Sequence, residues 1–293
     1  MALRADEVRK VCVIGFGVMG TGIAQVFAQY GYEVSVRDLK EETLKRGLEV
    51  IKSGPFGLMK AVEKGKLTKE QAEAAFSRIR TYTDLREAVK GADLVIEAII
   101  EDLDVKRQLF KELDELCPPR AILASNTSTL SITAIGGATK RPDKVVGMHF
   151  FNPVPAMRLV EIVVGLGTSQ ETVNTVKELA VRIGKTPVVC KDVPGFIANR
   201  IALPYLVEAM RVYEQGIASK EDIDTAMKLG YGFPMGPLEL LDLIGHDTTL
   251  NVLESMYRET LDAKYAPPTI LKQMVRAGWL GRKTGRGFYE YRK

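Results

Sequence analysis

The residues with the clearest capacity for chemistry are a histidine and a glutamate in two neighbouring apolar runs. His149, one of two histidines in the chain, lies within residues 145–150, and Glu161 lies within residues 159–164. Each stands six positions from Pro155, so a hairpin would make them cross-strand neighbours, about 5 Å apart at Cβ. A buried carboxylate needs a partner, and a histidine oriented by a carboxylate can act as a general base. The pair could equally be a purely structural contact.

The elements that must position this pair begin with a strand, a glycine-rich loop and a helix. Residues 11–14 are apolar, residues 15–20 read G-F-G-V-M-G, and residues 21–29 have helical spacing. In this context a G-x-G-x-x-G loop predicts dinucleotide binding. Gly15 allows the tight turn, Gly17 lets a pyrophosphate approach the backbone, and Gly20 lets the helix pack on the strand. The amides near residues 18 and 19 would point at the phosphates.

The residue after the second predicted strand indicates which dinucleotide is bound. Residues 33–37 form that strand, and Asp38 follows it, eighteen residues after Gly20. A carboxylate there accepts from the ribose hydroxyls and repels a 2′-phosphate, which favours NAD over NADP. Arg37 is the counter-argument, because an arginine can serve a 2′-phosphate.

Alternating strands and helices predict a doubly wound, mostly parallel sheet. Further strands are expected at residues 93–98, 121–124, 145–150 and 186–190, with a helix at 103–116. Ligands bind at the carboxyl ends of the strands in such a sheet. Four separate segments lie at or just after predicted strand ends, namely the glycine loop, Glu101, residues 125–128 and residues 149–152. Their convergence favours a catalytic role for His149.

A lysine-rich helical segment, at about 40–77, interrupts the alternation. Pro55 should divide it into at least two helices. Its charge is typical of a solvated helix face, and it would also suit a basic arm that reaches for substrate phosphates.

The second half of the chain predicts an all-helical domain. Residues 191–195 break the pattern, so we expect a NAD-binding domain at 1–192 and a helical substrate and dimerisation domain at 193–293. Helices are expected from residue 196, with a bend at Pro204, and at about 219–228, 237–243, 247–262 and 268–277. A small apolar helical domain often buries a face against its own copy, which predicts a homodimer. Asn199 is placed where it could face the cleft, cap a helix or bridge the hinge. His246 is expected to be exposed or to cap a helix.

Composition limits the function classes. With 46% hydrophobic and 27% charged residues over 293 positions, the chain is typical of soluble proteins. A net charge of +4 is too small to indicate nucleic acid, and it suits an anionic small substrate. Three dispersed cysteines, no secretory segment and no run long enough to span a bilayer predict a cytoplasmic protein without a membrane partner. Two histidines and no cysteine–histidine cluster argue against a metal site.

Several long motifs resemble one known family. They are V-I-G-F-G-V-M-G-T-G-I-A at 13–24, A-S-N-T-S at 124–128, G-M-H-F-F-N-P-V-P-A-M-R-L-V-E at 147–161, P-G-F-I-A-N-R at 194–200, P-M-G-P-L-E-L at 234–240 and G-R-K-T-G-R-G-F-Y at 281–289. In these motifs the chain resembles the 3-hydroxyacyl-CoA dehydrogenases, and among them the bacterial 3-hydroxybutyryl-CoA dehydrogenases. The resemblance covers nearly the whole chain. One departure is His246, where the family has an apolar residue.

The resemblance implies a set of site residues. The catalytic residues would be His149, Glu161, Ser128 and Asn199, of which the last two would also contact the acyl-CoA substrate. The NAD contacts would be Gly15, Gly17, Val18, Met19, Gly20, Asp38, Glu101, Lys106, Asn126, Asn152 and Lys283. The CoA-facing part of the helical arm corresponds loosely to residues 50–66, with Ser53 and Lys60 as its candidate contacts.

The implied mechanism combines acid–base catalysis with hydride transfer. His149 takes the proton of the substrate's 3-hydroxyl while a hydride passes to NAD, and the reverse steps reduce the 3-oxo group. Glu161 fixes the imidazole tautomer, and no metal is needed. Two alternatives stay open at this point: a dehydrogenase of a free 3-hydroxy or sugar acid, and a non-catalytic nucleotide-binding structural relative. The sequence leaves the acyl chain length and the biosynthetic or degradative role open.

Overall fold

The computed structural model describes residues 3–291, which form two compact units that divide between Val193 and Pro194. The first unit is built on an eight-stranded sheet, and the second is helical. The strands are β1 (Lys10–Ile14), β2 (Glu33–Arg37), β3 (Ile79–Tyr82), β4 (Leu94–Glu97), β5 (Ile122–Ser125), β6 (Val145–Phe150), β7 (Leu159–Val164) and β8 (Thr186–Lys191). The predicted fold class is confirmed.

The sheet has the order β3-β2-β1-β4-β5-β6-β7-β8. Every neighbouring pair is parallel except β6 and β7, which are antiparallel. The central strands are mostly apolar because helices cover both faces of a parallel sheet. Residues 151–158, which join β6 to β7, are too few for a parallel crossover, so the chain must return as a hairpin.

Eight helices belong to the first unit among the described residues. They are α1 (Val18–Gln29), α2 (Glu41–Ser53), α3 (Leu58–Glu63), α4 (Lys69–Ser77), α5 (Leu85–Val89), α6 (Leu103–Leu116), α7 (Ile132–Gly136) and α8 (Gln170–Arg182). The lysine-rich segment forms α2, α3 and α4, and Pro55 lies in the break between α2 and α3, as predicted. The helix α4 begins with a capping box between Thr68 and Gln71, which satisfies two backbone amides at its start.

The second unit contains five α-helices over its described part. They are α9 (Ala198–Glu214), α10 (Lys220–Gly230), α11 (Pro237–Ile244), α12 (His246–Thr260) and α13 (Thr269–Arg276). Their apolar faces share one core, in which Met210, Leu238 and Met256 are fully buried. Pro204 lies inside α9. The predicted helices of this half are therefore all present, with boundaries shifted by a few residues.

The expectation for His246 was wrong. Its side chain is fully buried, and its Nε2 lies 2.7 Å from Oδ1 of Asp242, one turn earlier in the chain. The Asp242 carboxylate also accepts from the backbone amides of Phe288 and Tyr289, both at 2.9 Å. Burial by itself would raise the pKa of Asp242, but the donors from His246, Tyr289 and Phe288 hold it below its usual value. The pair thus fixes the C-terminal tail, and the residue that caps α12 is Gly245.

The three cysteines are free thiols. Burial raises the pKa of each of them, Cys12, Cys117 and Cys190, to about 12. Since the thiolate is the reactive form, none of them is suited to nucleophilic chemistry near neutral pH. No helix within residues 3–291 combines the length and the apolar character that a membrane span requires.

Candidate active site

The hairpin of β6 and β7 brings His149 and Glu161 together. The two residues are direct partners in the antiparallel register, and Nδ1 of the imidazole lies 2.7 Å from Oε2 of the carboxylate. Both side chains are buried. The cross-strand pairing predicted from the spacing is confirmed. With the Nδ1 proton donated to Glu161, Nε2 is the ring nitrogen that can take up or release a proton.

The turn after β5 is organised around the carboxylate of Glu101. Its Oε1 accepts from Oγ1 of Thr127 at 2.5 Å and from the backbone amide of Ser128 at 2.9 Å. The Ser128 hydroxyl lies 3.4 Å from the same oxygen. Desolvation alone would raise the pKa of Glu101, but the Lys106 ammonium and the donors from Thr127 and Ser128 hold it below its usual value. Glu101 is therefore an anion that fixes the backbone beside Ser128.

A buried ion pair lies beneath this turn. The Nζ of Lys106 is 2.5 Å from Oε1 of Glu97 and 3.3 Å from Oε2 of Glu101. The other oxygen of Glu97 accepts from the Ser125 hydroxyl at 2.6 Å. Lys106 and Glu97 are almost completely buried, so the lysine charge is neutralised by Glu97 and Glu101 and helps to fix both carboxylates. The sequence analysis missed Glu97, although an acidic residue at the end of an apolar strand was a usable signal.

Asn126 connects the ends of two strands. Its side-chain Oδ1 accepts from the backbone amide of Phe150 at 2.9 Å, and its backbone amide donates to the carbonyl of Glu97 at 2.8 Å. Asn152 lies just beyond Phe150, in the loop after β6, and is exposed. The structure thus places Ser128, Asn126, Asn152 and His149 at the carboxyl ends of the neighbouring strands β5 and β6.

The glycine loop has the shape that a dinucleotide requires. Gly15 has a φ of +93°, and a Cβ on Gly20 would lie only 1.8 Å from the Gly15 carbonyl oxygen, so helix and loop pack without space for a side chain. In contrast, a Cβ on Gly17 would have nothing within 4 Å. The loop therefore presents an open backbone surface where a pyrophosphate would lie, and α1 begins at Val18 within it.

Asp38 and Arg37 differ in how they relate to this loop. The Asp38 Oδ2 accepts from the amide of Phe16 at 2.8 Å, so the carboxylate lies beside the glycine loop. The Arg37 guanidinium instead donates from Nε to the carbonyl of Thr83, 3.2 Å away. Of the two side chains, the Asp38 carboxylate is thus the one that is hydrogen-bonded to the loop.

Three exposed apolar side chains lie shortly after neighbouring strands of the sheet, and one of them belongs to the glycine loop itself. Val18, Leu39 and Ile100 follow β1, β2 and β4, which are adjacent in the sheet. An apolar surface with convergent polar groups is typical of a small-molecule site. The sequence analysis named Val18 but missed Leu39 and Ile100, since single apolar residues in loops carry no distinctive pattern.

The remaining predicted residues belong to the helical arm or to the second unit. In the arm, the Ser53 hydroxyl donates to the carbonyl of Glu49 at 3.0 Å, and Nζ of Lys60 is paired with Glu63 at 2.5 Å. In the second unit, Asn199 lies in the first turn of α9. Lys283 also belongs to that unit, where its Nζ is 2.5 Å from Oδ1 of Asp247.

Comparison with known proteins places the chain in a family. The model of the 3-hydroxyacyl-CoA dehydrogenase NAD binding domain matches residues 10–193, and the model of the C-terminal domain matches residues 195–291. The chain belongs to the 3-hydroxyacyl-CoA dehydrogenase family. It is 47% identical over 285 residues to the probable 3-hydroxybutyryl-CoA dehydrogenase of Bacillus subtilis, across 97% of this chain and 98% of the relative. The corresponding enzyme of Deinococcus radiodurans is 50% identical over 282 residues, with coverage of 96% and 100%.

A solved structure agrees with this assignment. The crystal structure of (S)-3-hydroxybutyryl-CoA dehydrogenase from Ralstonia eutropha superposes with a TM-score of 0.91 at 44% identity, across 98% of this chain and all of that one. The family resemblance, the oxidoreductase class and NAD as the cofactor are confirmed. The first unit is the family's NAD-binding domain.

Proposed function

We propose that the chain catalyses the reversible oxidation of a short-chain (S)-3-hydroxyacyl-CoA to the 3-oxoacyl-CoA, with 3-hydroxybutyryl-CoA and acetoacetyl-CoA as its substrate pair. The observation that carries the proposal is the buried His149–Glu161 pair, 2.7 Å apart, at the carboxyl end of β6. The same edge of the sheet holds the glycine loop. Three relatives with 3-hydroxybutyryl-CoA dehydrogenase in their names support the short acyl chain.

In this proposal His149 is the general base and acid. In oxidation, its Nε2 accepts the proton of the 3-hydroxyl, and in reduction the protonated ring returns that proton to the forming alkoxide. Glu161 holds the Nδ1 proton and stabilises the imidazolium that forms in either direction. When bound, NAD accepts the hydride at its nicotinamide ring, or NADH supplies it.

Two polar residues would orient the reacting oxygen. Ser128 is held at the tip of the β5 turn by the Glu101 carboxylate, which fixes the backbone from which its hydroxyl projects. The family resemblance implies the same role for the side-chain amide of Asn199. Because hydrogen bonds that strengthen as charge develops lower the barrier, both residues would affect kcat more than cofactor binding.

The cofactor and CoA would be held by groups at the same edge and in the arm. Gly15, Gly17, Val18, Met19 and Gly20 would hold the pyrophosphate. Asp38 would bind the adenosine ribose, and Glu101, Lys106, Asn126, Asn152 and Lys283 would complete the NAD site. Ser53 and Lys60 on the arm would contact CoA. We further propose a cytoplasmic homodimer formed through the second unit.

The test is the acetoacetyl-CoA-dependent oxidation of NADH, run beside NADPH and beside His149→Gln. We expect turnover with NADH. In the variant we expect kcat to fall by about 10²–10⁴-fold, while the affinity for NADH, measured by fluorescence titration, stays unchanged. A preference for NADPH would contradict the role of Asp38. Binding of NADH without any turnover by the wild-type protein would contradict the proposed substrate and favour a free hydroxy acid or a non-catalytic role.

A further inference from the structure

The loop between β6 and β7 carries one proposed site residue and connects two others. Residues 151–158 join His149 on β6 to Glu161 on β7, and they carry Asn152. Inside the loop, the amides of Ala156 and Met157 donate to the carbonyl of Pro153 at 2.9 and 3.0 Å. These two bonds shape the turn, but they do not attach it to the rest of the unit.

The loop is held from one side by the dinucleotide-binding helix. Gly22 in α1 faces Val154 and Pro155, and a Cβ on Gly22 would lie 2.8 Å from the Cβ of Val154. The side chains of Val154 and Pro155 therefore pack against α1 at a position where any residue larger than glycine would clash with them. A shift of α1 toward the hairpin would therefore push against Val154 and Pro155.

From the other side, the loop is held by a buried lysine. Lys185 lies between α8 and β8 and is only 8% exposed. Its Nζ donates to the carbonyl of Val154 at 2.5 Å and to that of Met157 at 2.7 Å. The adjacent amide of Thr186 donates to the carbonyl of Arg158 at 2.7 Å, which continues the attachment to the start of β7.

A buried ammonium group at position 185 is unfavourable for the stability of the folded state. No carboxylate pairs with Lys185 among residues 3–291, and burial lowers the pKa of its side chain. A buried charge without a counter-ion is less favourable than an apolar side chain that fills the same space. Both of these carbonyl acceptors belong to residues 151–158, so the hydrogen bonds of the Lys185 ammonium hold that loop.

We propose that Lys185 is a positioning residue that clamps residues 151–158 against α1 and so aligns His149 and Asn152 for hydride and proton transfer. This inference rests on the proposed function. It differs from a stabilising role because it ties the geometry of the loop to the rate of the chemical step. A displacement of about 1 Å at a reacting group can slow the reaction by a factor on the order of 10².

The decisive variant is Lys185→Met, which keeps the length of the side chain and removes its charge and donors. The matched control is Lys144→Met, because Lys144 also donates to a backbone carbonyl, that of Pro119 at 2.8 Å, but it precedes β6 at the end away from His149. Single-turnover and steady-state oxidation of NADH by acetoacetyl-CoA would be measured with ordinary and deuterated NADH, together with the fluorescence titration of NADH binding.

In Lys185→Met we expect hydride transfer to slow by about tenfold or more, with a larger isotope effect on kcat and NADH affinity changed by less than about threefold. Lys144→Met should match the wild-type protein. In hydrogen exchange, the amides of Ala156 and Met157 should exchange faster in Lys185→Met alone. A hydride-transfer rate per folded molecule equal to that of the wild type, whatever the melting temperature, would overturn the proposal.

If Lys185→Met does not fold, Lys185→Gln and Lys185→Arg decide the question. Slower hydride transfer should accompany faster exchange in the loop across the series, and an absence of that correlation overturns the clamp. A wild-type protein that turns over no acetoacetyl-CoA would contradict the proposed function, and the exchange measurement would then decide separately whether Lys185 holds the loop.

Discussion

At the residue scale, the arrangement of His149 and Glu161 decides which ring nitrogen carries out the chemistry. The carboxylate lies 2.7 Å from Nδ1, so it accepts that proton and leaves the exchangeable proton to Nε2. A glutamine at position 161 has nearly the same size, but its amide can donate to Nδ1 and so favour the opposite tautomer. A neutral amide also does not stabilise an imidazolium.

We therefore expect Glu161→Gln to lower kcat by about 10²–10⁴-fold with little change in NADH affinity. Steady-state kinetics and a fluorescence titration measure the two quantities. Glu178→Gln is the control, because Glu178 is an exposed partner of Arg182 on α8. Activity of Glu161→Gln within about twofold of the wild-type protein would mean that the pair is only a structural contact.

Single residues were predictable where their partners are close in the sequence or belong to a motif. His149 and Glu161 are symmetric about Pro155, so one hairpin was enough to pair them. His246 was misjudged because its environment includes Phe288, which its partner Asp242 binds from 46 positions away. The same limit applies to Lys185, whose acceptors lie 28 and 31 residues earlier in the chain. Burial of this kind depends on contacts between residues that are far apart in the sequence, and the local spacing of residues does not reveal such contacts.

At the element scale, two glycines of the glycine loop have different roles. Gly20 packs against the carbonyl of Gly15, which cannot move aside, whereas Gly17 faces open space with an ordinary φ of −71°. A methyl group at position 20 therefore strains the folded state. A methyl group at position 17 leaves the fold intact and occupies the surface on which a pyrophosphate would rest.

We predict that Gly20→Ala lowers the free energy of unfolding by at least about 2 kcal/mol. Gly17→Ala should keep the melting temperature and weaken NADH binding by at least about tenfold, equivalent to 1.4 kcal/mol. Thermal unfolding and fluorescence titration test both statements. Gly230→Ala serves as the control, since Gly230 lies in the second unit with nothing within 4 Å of a Cβ. Equal NADH affinity in Gly17→Ala and Gly230→Ala would contradict the dinucleotide role of the loop.

The elements themselves were predictable in proportion to the strength of their patterns. β2, β6, β7 and α6 have the bounds expected from the sequence, because β6 and β7 are mostly apolar runs, β2 alternates between apolar and polar residues, and α6 is strongly periodic. The sequence analysis did not predict β3, α5, α7 or α8. The first three have four or five residues, too few for a period to be recognised. The helix α8 is longer and has a side-chain cap at Ser169, so its signal was available and was overlooked.

At the scale of the whole molecule, the second unit exposes a group of large apolar side chains to solvent. Leu229 and Tyr231, at and just after the end of α10, are 83% and 77% exposed, and the ring of Tyr231 is stacked 6.4 Å from that of Phe233. Contiguous exposed apolar groups of this kind mark protein–protein contacts. They support the proposal that two copies of the chain associate through this unit.

We predict that the protein sediments as a dimer, with about twice the 32.4 kDa of one chain. The double variant Leu229→Glu, Tyr231→Glu should sediment as a monomer at micromolar concentration, because association would bury two carboxylates without partners. The control is Leu166→Glu, since Leu166 is 91% exposed but lies in the first unit. A double variant that stays dimeric would place the interface elsewhere. A wild-type protein that sediments as a monomer at the same concentration would contradict self-association itself.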